Sequence, residues 1–104
     1  MVLSVTKYNI HPDKAEAFYA WVKVAVPRIL SIPGVVEFRS YRPAAGEWQV
    51  VTTTEFADLA SWASAASTET YATLMNELHT LALNVTVEVW GPSQVLPVPL
   101  RPGK

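Results

Sequence analysis

The chain has no cysteine, only four glycines, two histidines and little charge. Each shortage excludes something. Without cysteine there is no disulfide framework, no thiolate metal site and no cysteine nucleophile. Gly34, Gly46, Gly91 and Gly103 stand alone, so no glycine-rich loop exists to cradle a phosphate, and no nucleotide cofactor is expected. His11 and His79 lie far apart and show no ligand spacing, so no metal is assigned. Charged residues make up 16% of the chain and the net charge is −1, which leaves no electrostatic footprint for nucleic acid. No apolar run approaches the ~18 residues of a membrane span. The start, Met1-Val2-Leu3-Ser4-Val5, lacks the basic region and long apolar run of a secretion signal. The chain therefore reads as a soluble, cytoplasmic protein with no cofactor and neither a nucleic-acid nor a membrane partner.

What is present is apolar surface. Half of the 104 residues are hydrophobic and 11% are aromatic, which suits one folded domain and excludes bulk disorder. A domain of this size buries only roughly two-thirds of its unfolded surface. A chain so apolar gains further burial by pairing with a copy of itself.

Residues 3–10 alternate with period two, placing Leu3, Val5, Lys7 and Asn9 on one face and Ser4, Thr6 and Tyr8 on the other. This predicts a first strand. His11-Pro12-Asp13 opens a helix over 13–31, on which Phe18, Trp21, Val22, Ala25 and Ile29 recur at helical spacing. Pro27 predicts a kink late in that run, and Pro33-Gly34 ends it. Residues 35–42 and 48–56 form two strands joined by a short turn at Pro43–Gly46. Asp58 caps a short helix over 59–66, and Ser67 or Thr68 caps the next. That helix carries Tyr71, Leu74, Met75, Leu78 and Ala82 as its apolar stripe. Residues 85–90 alternate as a fourth strand. Gly91-Pro92 stops it, dividing a domain at 1–91 from a Pro-rich tail at 92–104.

The order β-α-β-β-α-β is the split pattern of the ferredoxin-like fold. It predicts an α+β domain with a four-stranded antiparallel sheet and helices on one face. The other sheet face is then bare, and the reading puts Tyr8, Thr6, Trp90 and Thr86 on it. Two such faces packed together would cover each other, so a two-fold homodimer through the open sheet face is expected, with the tail crossing to the partner.

Three runs bear a likeness to known proteins: Pro12-Asp13-Lys14-Ala15-Glu16-Ala17-Phe18 at the entry to helix one, Ile32-Pro33-Gly34-Val35-Val36 before strand two, and Thr54-Glu55-Phe56-Ala57-Asp58 at the end of strand three. In these the chain resembles the dimeric α/β-barrel superfamily and, within it, the antibiotic biosynthesis monooxygenase-like proteins, over about residues 1–91. An aromatic Trp is usual where Phe56 stands. The resemblance implies cofactor-free oxygenation of polycyclic phenols or quinols as one activity and haem degradation as another. For haem degradation, the family's His position falls on Met75 and its Trp position on Ala65, while its Asn position falls near Thr6 or Lys7 with Asn9 close by. That pattern disfavours haem binding.

The aromatic residues are the best functional clue, because a flat aromatic ligand needs an apolar pocket with few polar groups. Trp21 and Tyr71 fall on inward helical stripes, where each is either core or pocket wall. Asn9 shares the strand face of Leu3 and Val5. Asn9, Trp21, Tyr71, Met75 and His79 are therefore expected to line one cavity. His79 is the candidate base, with Asn9 and Tyr71 as catalytic partners orienting a phenolate, and Trp21 and Met75 as ligand-binding residues. The bland reading of His79 is a surface residue near a helix C-terminus. The alternative to an oxygenase is a non-catalytic dimeric module for ligand binding or structure, and an open cavity of ~300 Å³ or more discriminates in favour of a ligand.

Overall fold

The computed structural model describes residues 1–103; residue 104, the end of the predicted tail, lies outside the described residues. The elements run β1 (Val2–Ile10), a 3-10 turn (Pro12–Lys14), α1 (Ala15–Leu30), β2 (Glu37–Tyr41), β3 (Val50–Phe56), α2 (Leu59–Ala66), α3 (Glu69–Leu81) and β4 (Ala82–Trp90).

Local chemistry explains the boundaries. The His11 side chain accepts from the Asp13 N–H at 3.2 Å and Pro12 follows it, so the chain enters α1 through a 3-10 turn. Pro27 removes the bond its N–H would give to the Lys23 carbonyl, yet α1 continues past it to Leu30. After α1 the chain turns at Gly34, whose φ of +93° strains any other L-residue. Asp58 caps α2, its carboxylate accepting from the Ser61 N–H at 2.8 Å; that bond holds its pKa below the usual value. Thr68 caps α3 by accepting from the Tyr71 N–H at 3.2 Å.

Two boundaries differ notably from the sequence reading. The connection between β2 and β3 spans eight residues, 42–49, and not the four of a tight turn, because pairing begins only at Tyr41 and Val51. The strand expected at 85 begins at Ala82, directly from α3, so Ala82 is backbone-extended and not the last residue of a helical stripe. Asn84 takes a φ of 58° beside a register shift between Lys7 and Asn9, a left-handed position that Asn tolerates.

The strands form one antiparallel sheet in the order β2-β3-β1-β4, the ferredoxin-like arrangement of an α+β domain. The helices cover one face. Ser4, Thr6, Tyr8 and Ile10 of β1 point to that covered face, together with their β3 neighbours Thr54, Thr52 and Val50. The expectation for Tyr8 and Thr6 is thus corrected: they face the helices, while Trp90 and Thr86 do lie on the open face, paired to Leu3 and Lys7. The reason is that the inward face of β1 floors a cavity, and hydroxyls there need not be expelled as they would be from a packed core.

Two apolar clusters hold the helices to the sheet. One joins Tyr8, Phe18, Leu78, Leu81 and Ala82; the other joins Ala25, Ile32, Phe56, Ala65 and Leu74. Trp21 packs against both. On the open face Val5 is fully buried beside its cross-strand partners Glu88 and Thr53. Glu88 meets the Lys7 ammonium at 3.3 Å and accepts from the Trp90 indole at 2.9 Å. Beyond Trp90 the chain is irregular, and Leu96 to Pro99 lie beside Met1, Leu3 and Trp90.

Candidate functional site

Between the helices and the covered sheet face lies a cavity of about 920 Å³. Its floor is a patch of hydroxyls on three adjacent strands. Ser4 pairs with Thr54, Thr6 with Thr52, and Thr52 with Ser40, so five hydroxyls share one surface. Its walls are aromatic and aliphatic, with Phe18, Trp21, Phe38, Trp48, Trp62 and Tyr71 among them. Ridges of aromatic side chains around a hydroxylated floor suit a flat ligand with oxygen substituents.

Of the four tyrosines on the lining, Tyr19 and Tyr41 are exposed, and the other two enter from opposite layers. Tyr8 rises from β1 and packs edge-on against Phe18, with ring centroids 5.8 Å apart. Burial pushes its pKa up to about 12, with no hydrogen-bond partner acting on it. Tyr71, from the first turn of α3, is also shifted upward by burial. Both phenols therefore stay protonated at neutral pH and serve as hydrogen-bond donors. The indole N–H of Trp62 is buried and unpartnered among the described residues, in the wall built by α2.

Trp21 is fixed from outside the cavity. Its indole N–H donates to Glu77 Oε1 at 2.7 Å, and Arg28 clamps the same carboxylate with contacts of 2.8 and 3.4 Å. The Arg28 and Trp21 bonds hold the Glu77 carboxyl below its ordinary pKa. Glu77 therefore stays ionised, and the ring of Trp21 is left to form wall.

The structure places Trp21, Tyr71 and Met75 on the cavity lining, but not Asn9 or His79. Asn9 shares the parity of Lys7 and uses its Oδ1 to accept from the Gln49 backbone N–H at 2.8 Å. It ties the end of β1 to the start of β3. His79 is exposed, with its Nδ1 2.7 Å from the Met75 carbonyl one turn earlier. A helix places positions 75 and 79 on one side, but the last turn of α3 has already passed the end of the cavity, where Leu78 is its final lining residue. The sequence reading missed Tyr8, the hydroxyl floor and Glu77. Ser4 and Thr6, alternating with Val5, were a visible signal of a polar inner face; the Trp21–Glu77 contact, 56 residues apart, left none.

Among the described residues no carboxylate and no imidazole lines the cavity, and its charged liners are Lys23 and Arg42. Among the described residues no three His, Cys, Asp or Glu side chains converge. No helix among them is long and apolar enough to cross a membrane.

The fold is shared widely. HapK from Hahella chejuensis aligns over 99% of this chain and 100% of its own, with 21% identity and a TM-score of 0.74. SnoaB from Streptomyces nogalater, described as a cofactor-independent oxygenase, aligns over 93% and 97% with 18% identity and a TM-score of 0.70. A Dabb-family protein with a ferredoxin-like fold from Mesorhizobium loti aligns over 88% and 96% with 14% identity and a TM-score of 0.78. These identities establish likeness of fold. No curated protein matches the chain in sequence. The model of the antibiotic biosynthesis monooxygenase family matches residues 1–77, spanning β1 through most of α3 and so nearly every element that builds the cavity. The chain belongs to the antibiotic biosynthesis monooxygenase family.

Proposed function

We propose that the protein is a cofactor-independent oxygenase that takes a flat aromatic phenol or quinol into the cavity. The observation that carries this reading is the cavity itself: about 920 Å³, aromatic on its walls and hydroxylated on its floor. That is three times the ~300 Å³ a small ligand needs. Family membership and the likeness to SnoaB support oxygen chemistry over simple storage.

In such a reaction the substrate supplies the electrons. In its keto tautomer such a phenol carries a ring methylene; this CH2 loses a proton to solvent, and the resulting anion reduces dioxygen. One oxygen atom ends as a carbonyl on that carbon; the other leaves as water with the two hydrogens. The chain's part is to bind, orient and exclude water. Tyr8 and Tyr71 donate hydrogen bonds to the substrate's oxygens, and the Ser4, Thr6 and Thr52 hydroxyls do so from below. Trp21 and Met75 hold the ring plane.

The test is a thermal-shift screen against flat phenols and quinols, followed by oxygen uptake on any class that binds. Saturable uptake above spontaneous oxidation, reduced in Tyr71→Phe, is the expected result. A thermal shift without uptake would replace this reading with that of a non-catalytic ligand-binding module.

We also infer that the working unit is a homodimer. Trp90 is 47% exposed on the open sheet face, Leu96 and Val98 of the tail are exposed beside it, and Val95 and Leu100 are exposed elsewhere on the tail. A second copy would cover this apolar surface, with the tail crossing to it.

A further inference from the structure

The cavity is electrostatically one-sided. The exposed liners Tyr19, Lys23, Tyr41, Arg42 and Gln49 come from α1, the end of β2 and the β2–β3 connection, and mark its open side as the mouth. Lys23 comes from α1, Arg42 and Pro43 follow β2, and Trp48 and Gln49 precede β3. Lys23 and Arg42 are both exposed, and both line the cavity. The three salt bridges among the described residues use Lys7, Arg28 and Arg39 and leave these two cations without a carboxylate. Deeper in, every polar liner is a neutral hydroxyl, amide or indole. Glu77, which meets Trp21 from outside, is already neutralised by Arg28. Among the described residues nothing on the lining repels a negative charge, and two cations at its edge attract one.

Resting on the reading of the cavity as an aromatic-ligand site, we propose that its ligand is an acid: a flat aromatic carrying an anionic group, such as a carboxylate, that sits at the mouth between Lys23 and Arg42 while the rings lie over the hydroxyl floor. An Arg fork and a Lys point charge suit a carboxylate. A cation pair at the edge fixes which end of the ligand enters first. It therefore sets which ring carbon faces Tyr8 and Tyr71.

The experiment compares three ligands by tryptophan-fluorescence quenching and thermal shift: anthraquinone-2-carboxylate, the corresponding carboxamide, and unsubstituted anthraquinone. The native protein is expected to bind the carboxylate roughly tenfold more tightly than the carboxamide at low salt. The double variant Lys23→Gln/Arg42→Gln is expected to lose that preference while still binding the carboxamide. Lys14→Gln, which removes an exposed cation that does not line the cavity, is expected to keep it. Equal binding of carboxylate and carboxamide by the native protein would overturn the proposal and leave the aromatic site standing. A preference that survives in the double variant would overturn it as well. If none of the three ligands binds, the aromatic site itself falls, and this proposal with it.

Discussion

The indole N–H of Trp21 donates to Glu77 Oε1 at 2.7 Å, a bond that joins α1 to α3 across 56 residues of sequence. Arg28 completes the cluster from the next turns of α1. One carboxylate thus locks a cavity wall and pins two helices together. Glu77→Ala is expected to lower the melting temperature, shift the Trp21 emission and weaken aromatic-ligand binding, whereas Glu77→Gln, which keeps an acceptor, retains more of the binding. The folded carboxyl titrates below the usual Glu value, so its contribution to stability is present above that value and is lost as pH falls through the lowered one. Unchanged emission in Glu77→Ala would show that the bond does not hold the ring.

Tyr8 makes a prediction at the other end of the pH scale. Its folded pKa is about 12 against an ordinary value of 10. A raised pKa stabilises the fold fully below pH ~10, and the contribution is lost as pH rises toward the folded value. The difference corresponds to on the order of 2–3 kcal/mol. In urea titrations between pH 9 and about 12, the native protein should lose stability more steeply than Tyr8→Phe. Parallel curves would count against a buried, protonated Tyr8.

The hydroxyl floor can be tested without threatening the fold. Thr52→Val and Ser4→Ala remove cavity hydroxyls while keeping bulk or removing little. Each is expected to weaken binding of a phenolic ligand by roughly three- to tenfold, from about 0.5–1.5 kcal/mol per hydrogen bond, with the melting temperature near that of the native protein. Thr53→Val, on the open face of the same strand, is the control. If Thr53→Val weakens binding as much as Thr52→Val, the floor is not where the ligand lies.

His79 is exposed and outside the cavity. His79→Ala is therefore expected to leave both ligand affinity and oxygen uptake unchanged, while Tyr71→Phe reduces them. Loss of uptake in His79→Ala at unchanged affinity would return His79 to the reaction.

For the dimer, light scattering is expected to give twice the chain mass of 11.5 kDa in the micromolar range. Trp90→Ala should weaken the association about tenfold or more, as loss of a central aromatic anchor does. A native mass near 11.5 kDa throughout that range would defeat the dimer.

Much of this molecule is local. Asp58, Thr68 and the Pro12 turn start their helices with bonds spanning two or three residues, and alternation in 3–10 needs no distant partner. Those elements, their order and hence the ferredoxin-like sheet follow from the sequence alone, as do the aromatic stripe of Trp21 and Tyr71 and the family likeness. Which face of β1 meets the helices did not follow. Leu3 and Val5 argue for one face and Tyr8 and Ile10 for the other, and a two-residue period is equally satisfied either way. Only the packing of Phe18 and Leu78 on Tyr8 decides it. The same choice sends Asn9 to the outer face and leaves Ser4, Thr6 and Thr52 as a floor. Helical periodicity likewise fixes the side of α3 that His79 occupies but not where the cavity ends along the helix axis. Periodicity is a property of neighbours a few residues apart; a cavity is the space left where helices and sheet diverge, and only contacts between distant residues, such as Trp21 with Glu77, determine it.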